Sequence, residues 1–131
     1  KEIALLGISN KVQIITESNE IHFFYNAINV LMITSREEPF GLTILESALY
    51  KKPVLAFRKS GGPEEILKLN EDLLIPYADF FGAAKKLVSL KNNSQKYKLY
   101  TDEIYNFYTV NKNQNNFLKY KEIIDSFIKW K

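Results

Sequence analysis

Two carboxylates and a glycine carry the chemistry this chain could perform. Glu38 and Glu46 stand on either side of Gly41, inside residues 35–67, which read S-R-E-E-P-F-G-L-T-I-L-E-S-A-L-Y-K-K-P-V-L-A-F-R-K-S-G-G-P-E-E-I-L. Gly41 has no Cβ, so the backbone there can take a positive φ or approach a ligand closely. A helix starting just after it offers unpaired N–H groups and the positive end of its dipole, a phosphate site that needs no lysine. Leu42 and Thr43 would supply those amides. Glu46 falls just over one turn inside that helix, where a carboxylate can accept two hydrogen bonds from a diol such as a ribose. Glu38, in the loop before the turn, could accept from sugar hydroxyls. A diphosphate between a ribose and a hexose matches this order of groups.

Plainer readings fit the same residues. Thr43-x-x-Glu46 has the spacing of a capping box, in which Glu46 only closes its own helix. Glu38, like Glu37, could be a solvated loop carboxylate. Gly61 and Gly62 could form only a tight turn, with Glu64 and Glu65 complementing the dipole of the next helix. Acids at that helix start make it a poor second phosphate site. Gly61 and Gly62 are therefore better suited to leaving room for a sugar than to binding charge. On the residues alone, the capping reading of Glu46 is the simpler one.

The elements that must position these groups follow along the chain. Residues 1–6 end a helix closed by Gly7. Ser9 and Asn10 make a turn, and the β-branched residues 12–15 predict a strand. Ser18 or Asn19 caps a helix through Tyr25, with Glu20 in its first turn and Ile21, Phe24 and Tyr25 on one face. Residues 28–34 are nearly continuously apolar, the pattern of a strand buried on both faces. Residues 35–40 form a loop, since Pro39 discourages helix at Glu38. A helix over residues 42–50 has Leu42, Leu45 and Leu49 among its apolar positions and ends at Lys51-Lys52-Pro53.

Residues 54–57 are a short buried strand, and Pro63 opens the next helix. A marginal strand follows at residues 73–75. Asp79 caps a helix through about Leu90, with Phe80, Ala83, Ala84, Leu87 and Val88 inward. After a turn at residues 91–93, Ser94 opens a helix to about Tyr108. The polar residues 111–116 then cap a last helix over residues 117–131. Strands alternating with helices predict an α/β, Rossmann-like parallel sheet flanked by helices, with further helices at the C-terminus. Ligands in such sheets sit outside the carboxyl ends of the strands, and the loops at residues 35–41 and 58–62 both follow strands.

Bulk properties narrow the field. A length of 131 residues fits one domain, and a 46% apolar fraction suffices for a core. No apolar run approaches the ~18 residues needed to cross a bilayer. There is no cysteine, hence no disulfide framework and no thiolate metal site. The chain starts at Lys1 without a visible secretory signal, so the expectation is an excised domain of a cytoplasmic protein. The net charge of +3 is uneven: residues 1–90 hold 10 basic and 11 acidic side chains, residues 91–131 hold 8 and 4. The basic residues are scattered along solvated helix faces, so nucleic acid is not expected as a partner, and a weak peripheral contact with an anionic membrane face is the sharper alternative.

The run E-P-F-G-L-T-I-L-E, followed by a buried strand and G-G-P-E-E-I-L, resembles the C-terminal domain of family-4 retaining glycosyltransferases of the two-domain GT-B fold. Their signature is two glutamates separated by seven residues around an F-G turn, the spacing of Glu38 and Glu46. Residues 10–25 resemble the family's preceding strand and helix ending in tyrosine, and residues 27–35 its A-D-V-strand-P-S segment. The resemblance implies that Glu38 faces the transferred sugar near the reacting centre and that Glu46 binds the nucleotide ribose. It assigns the diphosphate to backbone amides of Phe40, Gly41, Leu42 and Thr43. The implied donor is a UDP-, GDP- or ADP-sugar, used with retention and without a metal. The implied acceptor is a glycan or a lipid-linked acceptor.

This chain departs from the pattern at Thr16, Asn29 and Lys52, where glycine, aspartate and glycine are common. No arginine and lysine pair that would clamp the diphosphate precedes the motif, and Arg36 and Arg58 lie at other places. The expectation is a donor-binding half without its upstream βα unit and N-terminal acceptor domain, inactive alone. Two other functions remain in view: a nucleotide-sugar epimerase half, and a non-catalytic interaction module. An epimerase would need its own acid–base residues, and His22, the one histidine, reads as a helix-surface residue. Phe127, Ile128 and Trp130 on the last helix predict contact with the partner domain, or self-association in its absence.

Overall fold

The computed structural model describes residues 2–16, 21–68 and 70–113. The expected cap at Ser18 or Asn19 and the last helix with Trp130 lie outside the described residues. Three parallel strands form one sheet in the order β1-β2-β3: β1 is Leu31–Ile33, β2 is Val54–Phe57 and β3 is Leu74–Ile75. The register sets Leu31 beside Val54, Ile33 beside Ala56, and Ala56 beside Leu74. All four residues of β2 are buried, as a central strand covered on its faces requires. The expected α/β architecture is therefore the observed one.

The helices are α1 (Glu2–Leu5), α2 (Ile21–Ala27), α3 (Leu42–Leu49), α4 (Gly62–Leu67), α5 (Phe80–Asn92) and α6 (Ser94–Asn113). The core joins Ile33, Ile44, Ala48, β2, Leu67, β3, Leu90, Tyr100 and Ile104. Helix α6 is its lid, packing on α3, α5 and β2. Its start is closed by Asn93, whose Oδ1 accepts from the Lys96 amide at 2.9 Å. Asp79 caps α5 as expected, its Oδ1 accepting from the Gly82 amide at 2.8 Å. Among the described residues, no helix is long and apolar enough to cross a membrane.

Several expectations need correction. Residues 12–15 form no strand, and Ile14 is 74% exposed. β-branched residues become a strand only where a neighbour completes the ladder, and among the described residues the sheet ends at β1. The apolar run at residues 28–34 yields a strand of three residues, with only Ile33 fully buried. Ile28 still belongs to the end of α2, its amide donating to the Phe24 carbonyl at 3.0 Å. An edge strand also has no second neighbour to extend its pairing.

Helix α3 turns Ile44, Ser47 and Ala48 inward, whereas Leu42 and Leu49 are exposed. The buried Ser47 hydroxyl donates to the Lys52 carbonyl at 3.1 Å. Helix α5 buries Ala83 and Leu90 and leaves Phe80, Ala84 and Val88 exposed, because α6 covers only a narrow stripe of it. Helix α6 runs on through Asn113, past the expected end at Tyr108 and through the first residues of the expected cap. Lys51, just past α3, takes a left-handed φ of 53° and sets its ammonium 4.9 Å from the centre of the Tyr105 ring.

A polar knot ties α5 and α6 to the turn before β3. The buried Tyr100 donates its hydroxyl to Asp72 Oδ2 at 2.6 Å. Lys96 lies 3.1 Å and Lys86 3.7 Å from the same carboxylate. The Tyr100 hydroxyl first, and Lys96 second, hold the Asp72 carboxyl below its ordinary range. Such a carboxylate stabilises the fold above its unfolded pKa of about 4, and that contribution disappears as pH falls through the native value. Asp72→Asn should therefore lose less stability than the wild type between pH 7 and pH 3. Urea unfolding at both pH values measures this, and identical losses in the two proteins would refute it.

Candidate functional site

The loops that follow β1 and β2 are stitched together by main chain. Glu38 and Gly61 form an isolated parallel bridge. The Glu38 amide donates to the Ser60 carbonyl at 2.8 Å, and the Gly62 amide donates to the Glu38 carbonyl at 2.9 Å. The β1–β2 pairing thus resumes beyond the strands and holds Glu38 on a fixed backbone. Ser60 is buried, and its hydroxyl donates to the Phe57 carbonyl at 2.7 Å.

The two glycines make this stitching possible. A Cβ on Gly62 would lie 2.8 Å from both the Pro39 carbonyl oxygen and the Phe40 carbonyl carbon. A Cβ on Gly61 would lie 3.1 Å from the Glu38 carbonyl oxygen. The room these residues leave is filled by the chain's own loop backbone. Beyond them, Glu64 turns back, accepting from the Lys59 amide at 2.9 Å and lying 4.0 Å from Arg58. Arg58 also pairs with Glu71.

Gly41 adopts the left-handed conformation, φ 62° and ψ 31°, and is the residue from which α3 starts. Among the described residues, no side chain caps this helix start. The amides of Leu42 and Thr43 stand at its first two positions, and the side chains of Phe40 and Leu42 are exposed. Thr43 lies inside the helix, so it cannot be the capping member of a Thr-x-x-Glu box. Glu46 serves another contact instead: its Oε2 accepts from the Tyr25 hydroxyl at 2.8 Å. That hydroxyl also lies 3.3 Å from the Thr43 carbonyl oxygen.

The geometry thus gathers Glu38, Phe40, Gly41, Gly61 and Gly62 into one frame. Glu46 is held from the side of α2, and among the described residues no hydrogen bond links it to Glu38. Sequence reasoning placed Tyr25 only on an apolar helix face; the signal that could have found its contact is that a buried tyrosine hydroxyl needs a partner. His22 is exposed on α2, its ring 4.6 Å from that of Phe23, as a surface residue would be. A cleft of about 430 Å³ opens beside the stitched loops, lined by Arg36, Glu37, Lys59 and Tyr77. These residues come from the segments after β1, β2 and β3, so the cleft lies at the carboxyl ends of all three strands. A separate apolar groove of about 350 Å³ between α4 and α6 contains none of the sequence-predicted site residues.

The frame makes a prediction about the glycines. Gly62→Ala forces main chain apart and should cost at least about 2 kcal/mol. Gly7→Ala, at a positive φ that Gly62 does not share and with open space around its Cβ, should cost only about 1 kcal/mol. Denaturant midpoints of the two variants provide the comparison, and equal losses would show that the close approach at Gly62 does not constrain the loops.

Known proteins share these features. The family described as glycosyl transferases group 1 matches residues 1–107. A probable sucrose-phosphate synthase of Thermosipho melanesiensis is 36% identical over 92 residues, which is 66% of this chain and 21% of that protein. Among solved structures, the C-terminal domain of LpcC, a glycosyl transferase group 1 family protein of Francisella tularensis, superposes with a TM-score of 0.68 at 27% identity. That match covers 83% of this chain and 57% of the other. HepE of Anabaena, solved in complex with UDP, gives a TM-score of 0.74 at 22% identity, over 99% of this chain and 35% of that one. The chain thus spans less than two thirds of each. With residues 1–107 matched by the family and the parallel sheet superposing on a solved member, the chain belongs to the glycosyl transferases group 1 family and has the fold of GT-B C-terminal domains.

Proposed function

We propose that residues 1–131 form the donor-binding domain of a retaining glycosyltransferase, which moves a sugar from a nucleoside diphospho-sugar to a glycan or lipid-linked acceptor. The observation that carries this reading is the uncapped start of α3 at left-handed Gly41, next to the backbone-held Glu38 and one turn from Glu46. Amides at the start of an eight-residue helix, with no side chain across them, suit a diphosphate. Phe40, Gly41, Leu42 and Thr43 hold it in this reading, and Glu46 accepts from the ribose hydroxyls. Glu38 faces the transferred sugar. Gly61 and Gly62 shape the sugar side indirectly, by letting the Glu38 loop close down. The UDP complex of HepE, a protein of the same fold, supports a nucleoside diphosphate as the ligand class.

The reaction breaks the bond between the anomeric carbon and the diphosphate and forms one to an acceptor oxygen. Charge builds up on the departing diphosphate. Fixed amide dipoles aimed at that charge lower the barrier without reorganising, and no metal is required by this arrangement. Arg36 and Lys59, which line the cleft beside the loops, add positive potential there. Arg58 is committed to Glu64 and Glu71. The acceptor would enter from the partner N-terminal domain of the intact protein. A cytoplasmic location, with at most peripheral contact at the inner membrane face, belongs to the same proposal.

Calorimetric titration of this chain with UDP, GDP and ADP tests the cradle. One nucleotide should bind, and Glu46→Ala should weaken it by ~1–3 kcal/mol. Binding unaffected by Glu46→Ala would remove the ribose role. In the intact protein, Glu38→Gln should keep nucleotide affinity yet slow transfer by at least about 100-fold. Full transfer activity in that variant would take Glu38 out of the reacting centre.

A further inference from the structure

Helix α2 buries a single residue against the rest of the fold. Of its seven residues only Tyr25 is buried, at 6% exposure. The Tyr25 ring stacks on that of Tyr50, just past α3, with centroids 5.3 Å apart and planes 12° from parallel. Its hydroxyl points along α3 to the carboxylate of Glu46, 2.8 Å away. A second tie, from Lys52 Nζ to the Asn26 carbonyl at 3.5 Å, joins the end of α2 to the segment after α3.

A phenylalanine would fill the same space and make the same ring stack. The hydroxyl is therefore the informative atom, and its target is the carboxylate assigned above to the ribose. We propose that Tyr25 is a positioning residue for the sugar–nucleotide donor: it fixes the rotamer of Glu46 so that the carboxylate meets the ribose diol already oriented. The inference rests on the reading of Glu46 as the ribose carboxylate.

Three physical points support it. A glutamate has several rotatable side-chain bonds, and ordering them at the moment of binding weakens affinity. A donor that holds the carboxylate beforehand removes much of that loss. The two oxygens of a carboxylate present about four acceptor sites. Tyr25 occupies one site on Oε2, leaving Oε1 and the remaining site on Oε2 for two hydroxyls. A hydrogen bond to an ionised acceptor is also stronger than one between neutral groups, so it can hold a long side chain. Burial first, and the Glu46 carboxylate second, push the Tyr25 phenol upward, so it stays protonated and a donor throughout the physiological range. The tyrosine is thus a permanent brace and not a switch.

The test compares ribose with a sugar that lacks the diol. Wild type, Tyr25→Phe, Glu46→Ala and the double variant are titrated with the nucleotide that binds and with its 2′,3′-dideoxy counterpart. Thermal unfolding confirms that each variant folds, and the phenylalanine preserves the ring stack. Tyr25→Phe should bind the ribonucleotide about ten-fold more weakly. The double variant should be no weaker than Glu46→Ala alone, and the dideoxy nucleotide should bind wild type and Tyr25→Phe equally. Equal weakening of both nucleotides by Tyr25→Phe would mean a structural role only. Full ribonucleotide affinity in Tyr25→Phe with a loss in Glu46→Ala would overturn the positioning role and leave the donor reading standing. No effect of Glu46→Ala, or no nucleotide bound by wild type, would overturn both.

Discussion

Two main-chain hydrogen bonds, from Glu38 to Ser60 and from Gly62 back to Glu38, set the geometry on which the site depends. They extend the parallel pairing of β1 and β2 into loops that would otherwise be independent. The starts of α3 and α4 are thereby brought beside each other, and the Glu38 side chain leaves from a backbone that cannot slide. The arrangement needs two adjacent residues without Cβ atoms, because Pro39 and Phe40 occupy the space a side chain at Gly62 would take. A motif that reads as open room for a ligand is, physically, a close approach of backbone to backbone that ties the two loops together.

Much of this was legible in the sequence, for physical reasons that differ by element. β2 was readable to the residue, because a strand buried on both faces leaves no polar position to confuse its ends. The turn at Gly41 and the cap at Asp79 were readable because the residue types carry their own conformational preferences. The inward faces of α3 and α5 were not. Helical spacing says which residues share a face, but the neighbour decides which face is covered. Here α3 packs on α6 and buries Ser47 and Ala48, while Leu42 and Leu49 stay exposed. The strand expected at residues 12–15 failed for a related reason, since propensity supplies no partner. The left-handed turn at Gly41 and the helix that carries Glu46 were legible from residue types and spacing. The Tyr25–Glu46 contact spans 21 residues and exists only through the packing of α2 on α3.

The uneven charge of the chain also has a structural counterpart. Lys86 and Lys96 converge on Asp72, whose carboxylate is further anchored by Tyr100. Part of the basic character of the second half is therefore compensated locally, by an acid on the turn before β3. Burial lowers the affinity of the Lys86 ammonium for its proton. These lysines act as struts between helices, which is consistent with their being scattered and not gathered into a basic track.

Lys51 illustrates how such a fold can replace a glycine. It holds a left-handed backbone just past α3, a conformation that disfavours an L-residue by about 1 kcal/mol. The same conformation carries its ammonium over the Tyr105 ring, a contact worth about 0.5–1 kcal/mol at an exposed site. The two terms nearly cancel, so the joint is close to neutral in stability. What the lysine adds is a contact that a glycine could not make, from the turn after α3 to the Tyr105 ring on α6. A glycine at this position would relieve the backbone and forgo the ring contact, so the exchange should leave stability nearly unchanged while removing one link between the end of α3 and α6.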